Sequence, residues 1–79
     1  MVQVTQVKYI SNYTLWLSFD DGAQGEIDLS SHLNGSMFEP LKDKNFFSKV
    51  SLAPELSTII WPNGVDIAPE FLRNNIRFC

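Results

Sequence analysis

Trp61-Pro62-Asn63-Gly64-Val65-Asp66-Ile67-Ala68-Pro69-Glu70-Phe71-Leu72 holds a strand end, a turn, a returning strand and a helix start in succession. Pro62 cannot donate to a β-ladder but suits the first position of a turn, with Asn63 second and Gly64 left-handed, so Pro62-Asn63-Gly64 reads as a three-residue hairpin loop. That loop sets Trp61 against Val65, Ile60 against Asp66 and Ile59 against Ile67. By the two-residue period of a strand, Ile59, Trp61, Val65 and Ile67 then face a core, while Ile60 and Asp66 face away. Pro69 fits the first helical position after Ala68, and Glu70 lies near the positive end of the helix dipole. Phe71, Leu72 and Ile76 form an apolar stripe, and Arg73 and Arg77 are expected in the last turn.

Upstream, a second hairpin appears. Thr14, Trp16 and Ser18 alternate with Leu15, Leu17 and Phe19, and Asp20-Asp21-Gly22 is a turn of the same three-residue type. Its register pairs Phe19 with Ala23, Leu17 with Gly25 and Leu15 with Ile27 on the core face. The other face receives Ser18/Gln24, Trp16/Glu26 and Thr14/Asp28, where Trp16 is the one misfit. Val2 to Ile10 reads as a further strand whose apolar residues change parity, which indicates a bulge near Thr5-Gln6. Asp28 to Ser31 can cap a short turn through His32 and Leu33, and Asp43 can cap a brief helix over Lys44 to Lys49 that sets Phe46 and Phe47 against the sheet. A short strand is expected at Val50-Ser51-Leu52, interrupted at Ala53-Pro54-Glu55, with the next strand over Leu56 to Trp61. The fold class that follows is α+β over residues 1–79 as one domain: a small, mainly antiparallel sheet of two hairpins plus an N-terminal strand, with short helices on one face.

Composition narrows the function. The chain has 79 residues, 44% hydrophobic, with six Phe, two Trp and two Tyr, enough for one core but not for a deep one. Its formal net charge is -3, and six Lys plus Arg scattered along the sequence make no basic face, so nucleic acid is an unlikely partner for this chain alone. No stretch approaches the roughly 20 apolar residues of a membrane span, and the N-terminus alternates like a strand with no leader pattern. A cytoplasmic location is expected. Cys79 is the one cysteine and the last residue, which excludes a disulfide framework within the chain and reads as an incidental exposed thiol.

Catalytic chemistry finds little support. Asp66 and Glu70 are the best-placed carboxylate pair, since the strand-to-helix junction could bring them together for acid–base work. The commoner role is capping, with Asp66 accepting from turn or helix N–H groups and Glu70 answering the dipole. His32 has no nucleophile or further ligands near it in sequence and is expected in a polar loop. The four glycines serve turns and a crowded strand position rather than a phosphate loop. No catalytic residue, cofactor or metal is expected. Binding is the better use of the chain: Trp16 and Ile60 lie on faces opposite the expected core, the sheet has open edges, and Asp66, Glu70 and Arg73 stand near the junction. Arg73 and Arg77, four apart on one expected helix face, could meet phosphate or complement the helix C-terminus.

The stretch Trp61 to Leu72, with Phe19-Asp20-Asp21-Gly22, Gly25-Glu26-Ile27-Asp28-Leu29 and Phe38-Glu39-Pro40-Leu41 upstream, resembles the family known as domain of unknown function 2442, and covers nearly the whole chain. That resemblance implies a small α+β fold of bacterial, phage or mobile-element origin and no established activity. It implies a gene arrangement beside another small protein, like a toxin–antitoxin pair, and relatives that carry an added helix-turn-helix domain. Where the family often has Tyr after the Leu of the signature, this chain has Arg73. The expected function is a non-enzymatic protein-interaction module, the antitoxin-like or regulatory member of a two-protein system, binding another small protein or a second copy of itself. The alternatives are a nucleic-acid-associated transcriptional regulator working through Arg73, Arg77 and the Lys42/Lys44/Lys49 segment, and a small enzyme using Asp66 and Glu70.

Overall fold

A computed structural model describes residues 2–33, 35, 36 and 38–78, with the backbone alone at 78. Cys79 lies outside the described residues, and so does Asn34 of the Asn34-Gly35-Ser36 loop. Three strands open the chain: β1 (Val4–Ser11), β2 (Thr14–Phe19) and β3 (Gln24–Asp28). A short helix α1 (Lys44–Phe47) precedes β4 (Ser51–Ala53), β5 (Thr58–Ile60) and β6 (Asp66–Ile67); helix α2 (Pro69–Asn75) and β7 (Arg77–Phe78) follow.

Both hairpins have the expected register. Phe19 N–H donates to Ala23 O at 2.9 Å, Gly22 N–H donates back to Phe19 O at 3.1 Å, and Gly22 has φ +88°. Leu17 then pairs with Gly25, Leu15 with Ile27 and Trp16 with Glu26. The second loop repeats this geometry: Trp61 N–H reaches Val65 O at 2.9 Å, Gly64 N–H reaches Trp61 O at 2.9 Å, and Gly64 has φ +86°. Left-handed backbone at the third loop position is the conformation that glycine supplies without a Cβ clash. In β1 the parity change is a register shift between Val4 and Gln6, and a second shift falls between Tyr9 and Ser11.

The structure departs from the expectation of one sheet. The strands form two, in the orders β1-β2-β3-β7 and β4-β5-β6, all antiparallel. Each hairpin is closed by a partner of its own: β4 pairs along β5, and β7 pairs along the Gly25–Glu26 edge of β3. Strand periodicity reports which side chains share a face but not which edges meet. The sheets are joined where Val4 N–H donates to Ser57 O at 3.0 Å. Ser57 has φ +61° and follows a 3-10 turn, Pro54–Leu56, so β5 begins later than the expected Leu56.

Two further corrections concern helices. α1 ends at Phe47, short of Lys49, although Asp43 caps it as expected by accepting from Asn45 N–H at 2.9 Å. Helix α2 stops at Asn75, and Ile76 turns extended at φ -71°, ψ 152°. Arg77 therefore lies on β7 opposite Glu26 and not in the last helical turn. Burial of Ile76 beneath the sheet redirects the chain there, and the open β3 edge offers the backbone partners that another helical turn would otherwise supply. His32 sits in a 3-10 turn, Ser30–His32, and its ring meets Phe71 of α2 edge-on at 5.1 Å, so it is tied to a helix rather than left in a loop.

One apolar cluster fills the space between the two sheets and the helices. Leu15, Leu17, Ile27, Leu29, Leu41, Phe47, Ile59 and Leu72 are inaccessible or nearly so. Trp61 lies among them, and its indole Nε1–H donates to Phe47 O at 2.9 Å. The Phe47 ring is ringed by aromatics: Trp61 at 5.5 Å, Tyr13 edge-on at 5.4 Å and Tyr9 at 6.0 Å. Tyr13 also donates its hydroxyl to Lys42 O, which fastens β2 to the segment leading into α1. At the far side, Arg73 Nε lies 3.0 Å from Asp21 Oδ2, joining α2 to the first hairpin loop.

Removing the indole N–H tests the cluster. Trp61→Phe forfeits the bond to Phe47 O and part of the ring volume, and should cost about 2–3 kcal/mol in urea melts. Phe47→Ala should cost about 3–5 kcal/mol, enough to leave so small a domain largely unfolded by circular dichroism. Full cooperative folding of Phe47→Ala would contradict the assigned role. A second test uses pH. The Ala23 N–H and then the Arg73 guanidinium hold the Asp21 carboxyl below its ordinary value of 3.8. A lowered folded pKa adds stability above the unfolded value, and that stability is lost as pH falls through the folded one. Asp21→Asn keeps the acceptor for Ala23 but not the charge. Its melting temperature should fall below wild type near pH ~7, and the gap should close as pH drops below 3.8.

Candidate functional site

The first sheet buries one face and presents the other. Val4, Leu15, Leu17, Phe19 and Ile27 point into the core, whereas Gln6, Lys8, Gln24, Glu26, Asp28 and Arg77 are exposed on the outer face. Trp16 stands half-buried in the middle of that face on β2. Cross-strand pairing sets four residues in one row: Lys8 opposite Trp16, Trp16 opposite Glu26, and Glu26 opposite Arg77. Cation, indole, anion and cation thus follow one another across β1, β2, β3 and β7. Thr5 Oγ1 donates to Ser18 Oγ at 3.3 Å on the row beside it.

Two shallow depressions flank the row. One, of about 310 Å³, is lined by Gln6, Lys8, Tyr9, Ile10 and Trp16. Tyr9 and Ile10 are among the few large hydrophobic side chains left exposed, at 37% and 43%. The Tyr9 hydroxyl donates to Asn12 O at 3.1 Å, and its ring lies toward Phe47 on the inner side of β1. The other, of about 150 Å³, is lined by Thr14, Glu26, Asp28 and Arg77. Asp28 accepts from Ser30 N–H at 2.9 Å, and that bond first, then the Ser30 hydroxyl and the charges of Arg77 and His32, lower its carboxyl pKa. One depression is therefore amphipathic and the other saline, side by side on one face.

The residues singled out from the sequence are spread over several elements. Trp16 has the position expected of it. Ile60 lies on β5 opposite Asp66 but is half-buried, not exposed, because β4 pairs along β5 and Ser51 stands across from Ile60. Asp66 is exposed on β6 and Glu70 is exposed in the first turn of α2. Neither acts as a side-chain cap: Ala68 is the N-cap residue with no capping side chain, and neither carboxylate makes a side-chain hydrogen bond among the described residues. Arg73 is half-buried against Asp21, and Arg77 is on a different element, so no helix face presents the two arginines together. Lys8, Tyr9 and Ile10 were the residues missed. Lys8 and Ile10 share the even spacing of Gln6, but the shift between Tyr9 and Ser11 must be known before Lys8 can be placed beside Trp16.

Among the described residues no group of three His, Cys, Asp or Glu side chains gathers as a metal site, and no helix is long and apolar enough to cross a membrane. The arrangement offers a flat amphipathic face on a rigid sheet, with an aromatic anchor between charges of opposite sign. Such a face suits contact with another macromolecular surface better than enclosure of a small molecule.

Comparison with known proteins agrees with the resemblance seen in the sequence. No curated protein and no solved structure matches the chain. A family model described as protein of unknown function (DUF2442) matches residues 4–78, which runs from the first residue of β1 to the last of β7. The chain belongs to the DUF2442 family.

Proposed function

We propose that this protein is a non-enzymatic interaction module that docks through the outer face of its first sheet, centred on Trp16. The observation that carries the reading is the grouping of Trp16, Tyr9 and Ile10 around one depression with Lys8 beside them. A half-buried Trp with exposed apolar neighbours and a polar surround is the composition of an interface hot spot. A small domain also gains stability from any partner that binds only its folded state. The gene neighbourhood implied by the family resemblance extends the proposal: the chain acts as the antitoxin-like or regulatory member of a two-protein pair in a bacterial cell. Its partner is the neighbouring small protein or a second copy of this chain.

Arg73 is engaged by Asp21, and Arg77 lies on another element in the company of Glu26 and Asp28, so the two arginines form no joint basic face. This favours a protein partner over a nucleic acid.

A tagged copy should co-purify with the adjacent gene's product or self-associate, and Trp16→Ala should weaken that complex about 30-fold or more while the circular dichroism spectrum is retained. A chain that forms neither complex, or a complex indifferent to Trp16, would sink the reading. Salt-dependent retardation of DNA lost on Arg77→Ala would favour a regulator instead.

A further inference from the structure

We infer that the occupant of this face is a second copy of the same chain, seated about a two-fold axis that runs parallel to β2, above Trp16. The inference rests on the docking role just proposed and names its partner. It comes from the order of charges in the row. β1, β2 and β3 are successive strands about 4.8 Å apart, so Lys8 and Glu26 stand at equal distances on either side of Trp16. A two-fold axis parallel to the strands, lying between the two faces, exchanges left and right. It sets Trp16 over Trp16 of the second copy, Lys8 over its Glu26, and Glu26 over its Lys8. An interface of this kind must be complementary to itself, and this row meets that demand. Sheets packed face to face lie about 10 Å apart, a gap that side chains of this length fill from both sides.

The charges also select the register. Shifting the axis to lie between Trp16 and Glu26 would set Lys8 over Arg77, two cations face to face, while Trp16 would lie over a carboxylate. In the favoured register Arg77 falls beyond the β1 edge of the second copy and meets no like charge from the row. Ile10, exposed beside Trp16, continues the apolar contact on one side, where the bulge between Tyr9 and Ser11 turns the end of β1. Charge order therefore disfavours the alignment shifted toward β3, while the alignment centred on Trp16 makes both opposite-sign pairs.

Reciprocal charge reversal tests the arrangement. By sedimentation or light scattering across about a hundredfold range of concentration, the wild type should pass from a 9.0 kDa monomer to twice that mass. Lys8→Glu sets two carboxylates at each contact and Glu26→Lys sets two ammonium groups there, so each variant alone should dissociate about tenfold more readily or worse. Mixed together, the two variants restore both opposite-sign pairs and should form a heterodimer near wild-type strength. Glu55→Lys, in the distant 3-10 turn, changes net charge equally without touching the face and should dimerise as wild type does. Should Glu26→Lys disturb the β3–β7 pairing by circular dichroism, Lys8→Ala and Trp16→Ser supply the same test on β1 and β2. A wild type that remains monomeric throughout overturns the inference, as does a mixture no better than its components. If the monomeric wild type still captures the neighbouring gene's product through Trp16, only the second copy is excluded and the docking role stands.

Discussion

The hydrogen bond from Trp61 Nε1–H to the carbonyl of Phe47 fixes how two distant parts of the chain meet within one buried cluster. Trp61 enters the Pro62-Asn63-Gly64 loop, and Phe47 ends a helix of four residues that would not hold in isolation. An indole buried at this depth must find an acceptor for its N–H, and the end of α1 supplies one. The Phe47 ring in turn lies under Tyr13 and Tyr9 from the first sheet and beside Trp61 from the second. Register in one hairpin, position of the short helix and closure of the first sheet over the core are thus coupled at a single pair of residues.

That coupling explains why one face of the first sheet remains bare. Both helices, the second sheet and the irregular segments between them converge on the side where Leu15, Leu17 and Ile27 point. Among the described residues no element covers the other side. An antiparallel sheet tolerates this, since alternation lets one face be polar. Trp16 breaks the alternation. An indole placed among Lys8, Glu26, Ser18 and Thr14 contributes little to the core and much to a surface that something else can cover.

The stretch Trp61 to Leu72, which runs into α2 through β6, is structural. Trp61 and Val65 are buried, Ile67 packs against the core, and Gly64 supplies the left-handed backbone of the loop. Asp66 and Glu70 remain exposed and uncommitted to capping, and Arg73 is drawn away to Asp21 in the other hairpin. This stretch therefore serves backbone geometry, while the face proposed for docking lies on the other sheet.

Much of this was legible in the residues alone, and the limit has a physical cause. Turn chemistry and the two-residue period act over a few neighbouring positions, so Asp20-Asp21-Gly22 and Pro62-Asn63-Gly64 determined both hairpins, their pairing and the inward residues. Asp43 as a cap and Pro69 as a helix start belong to the same local class. What tertiary structure decided was how edges and faces met. β7 formed because β3 had a free edge, which took Arg77 off the helix; β4 claimed the edge of β5, which half-buried Ile60; and α2 lay close enough to the first hairpin for Arg73 to find Asp21. Lys8 joined Trp16 only after the shift between Tyr9 and Ser11 had set the register of β1. Each of these outcomes depends on contacts between residues far apart in sequence, where local preference carries no information about which partner will be near.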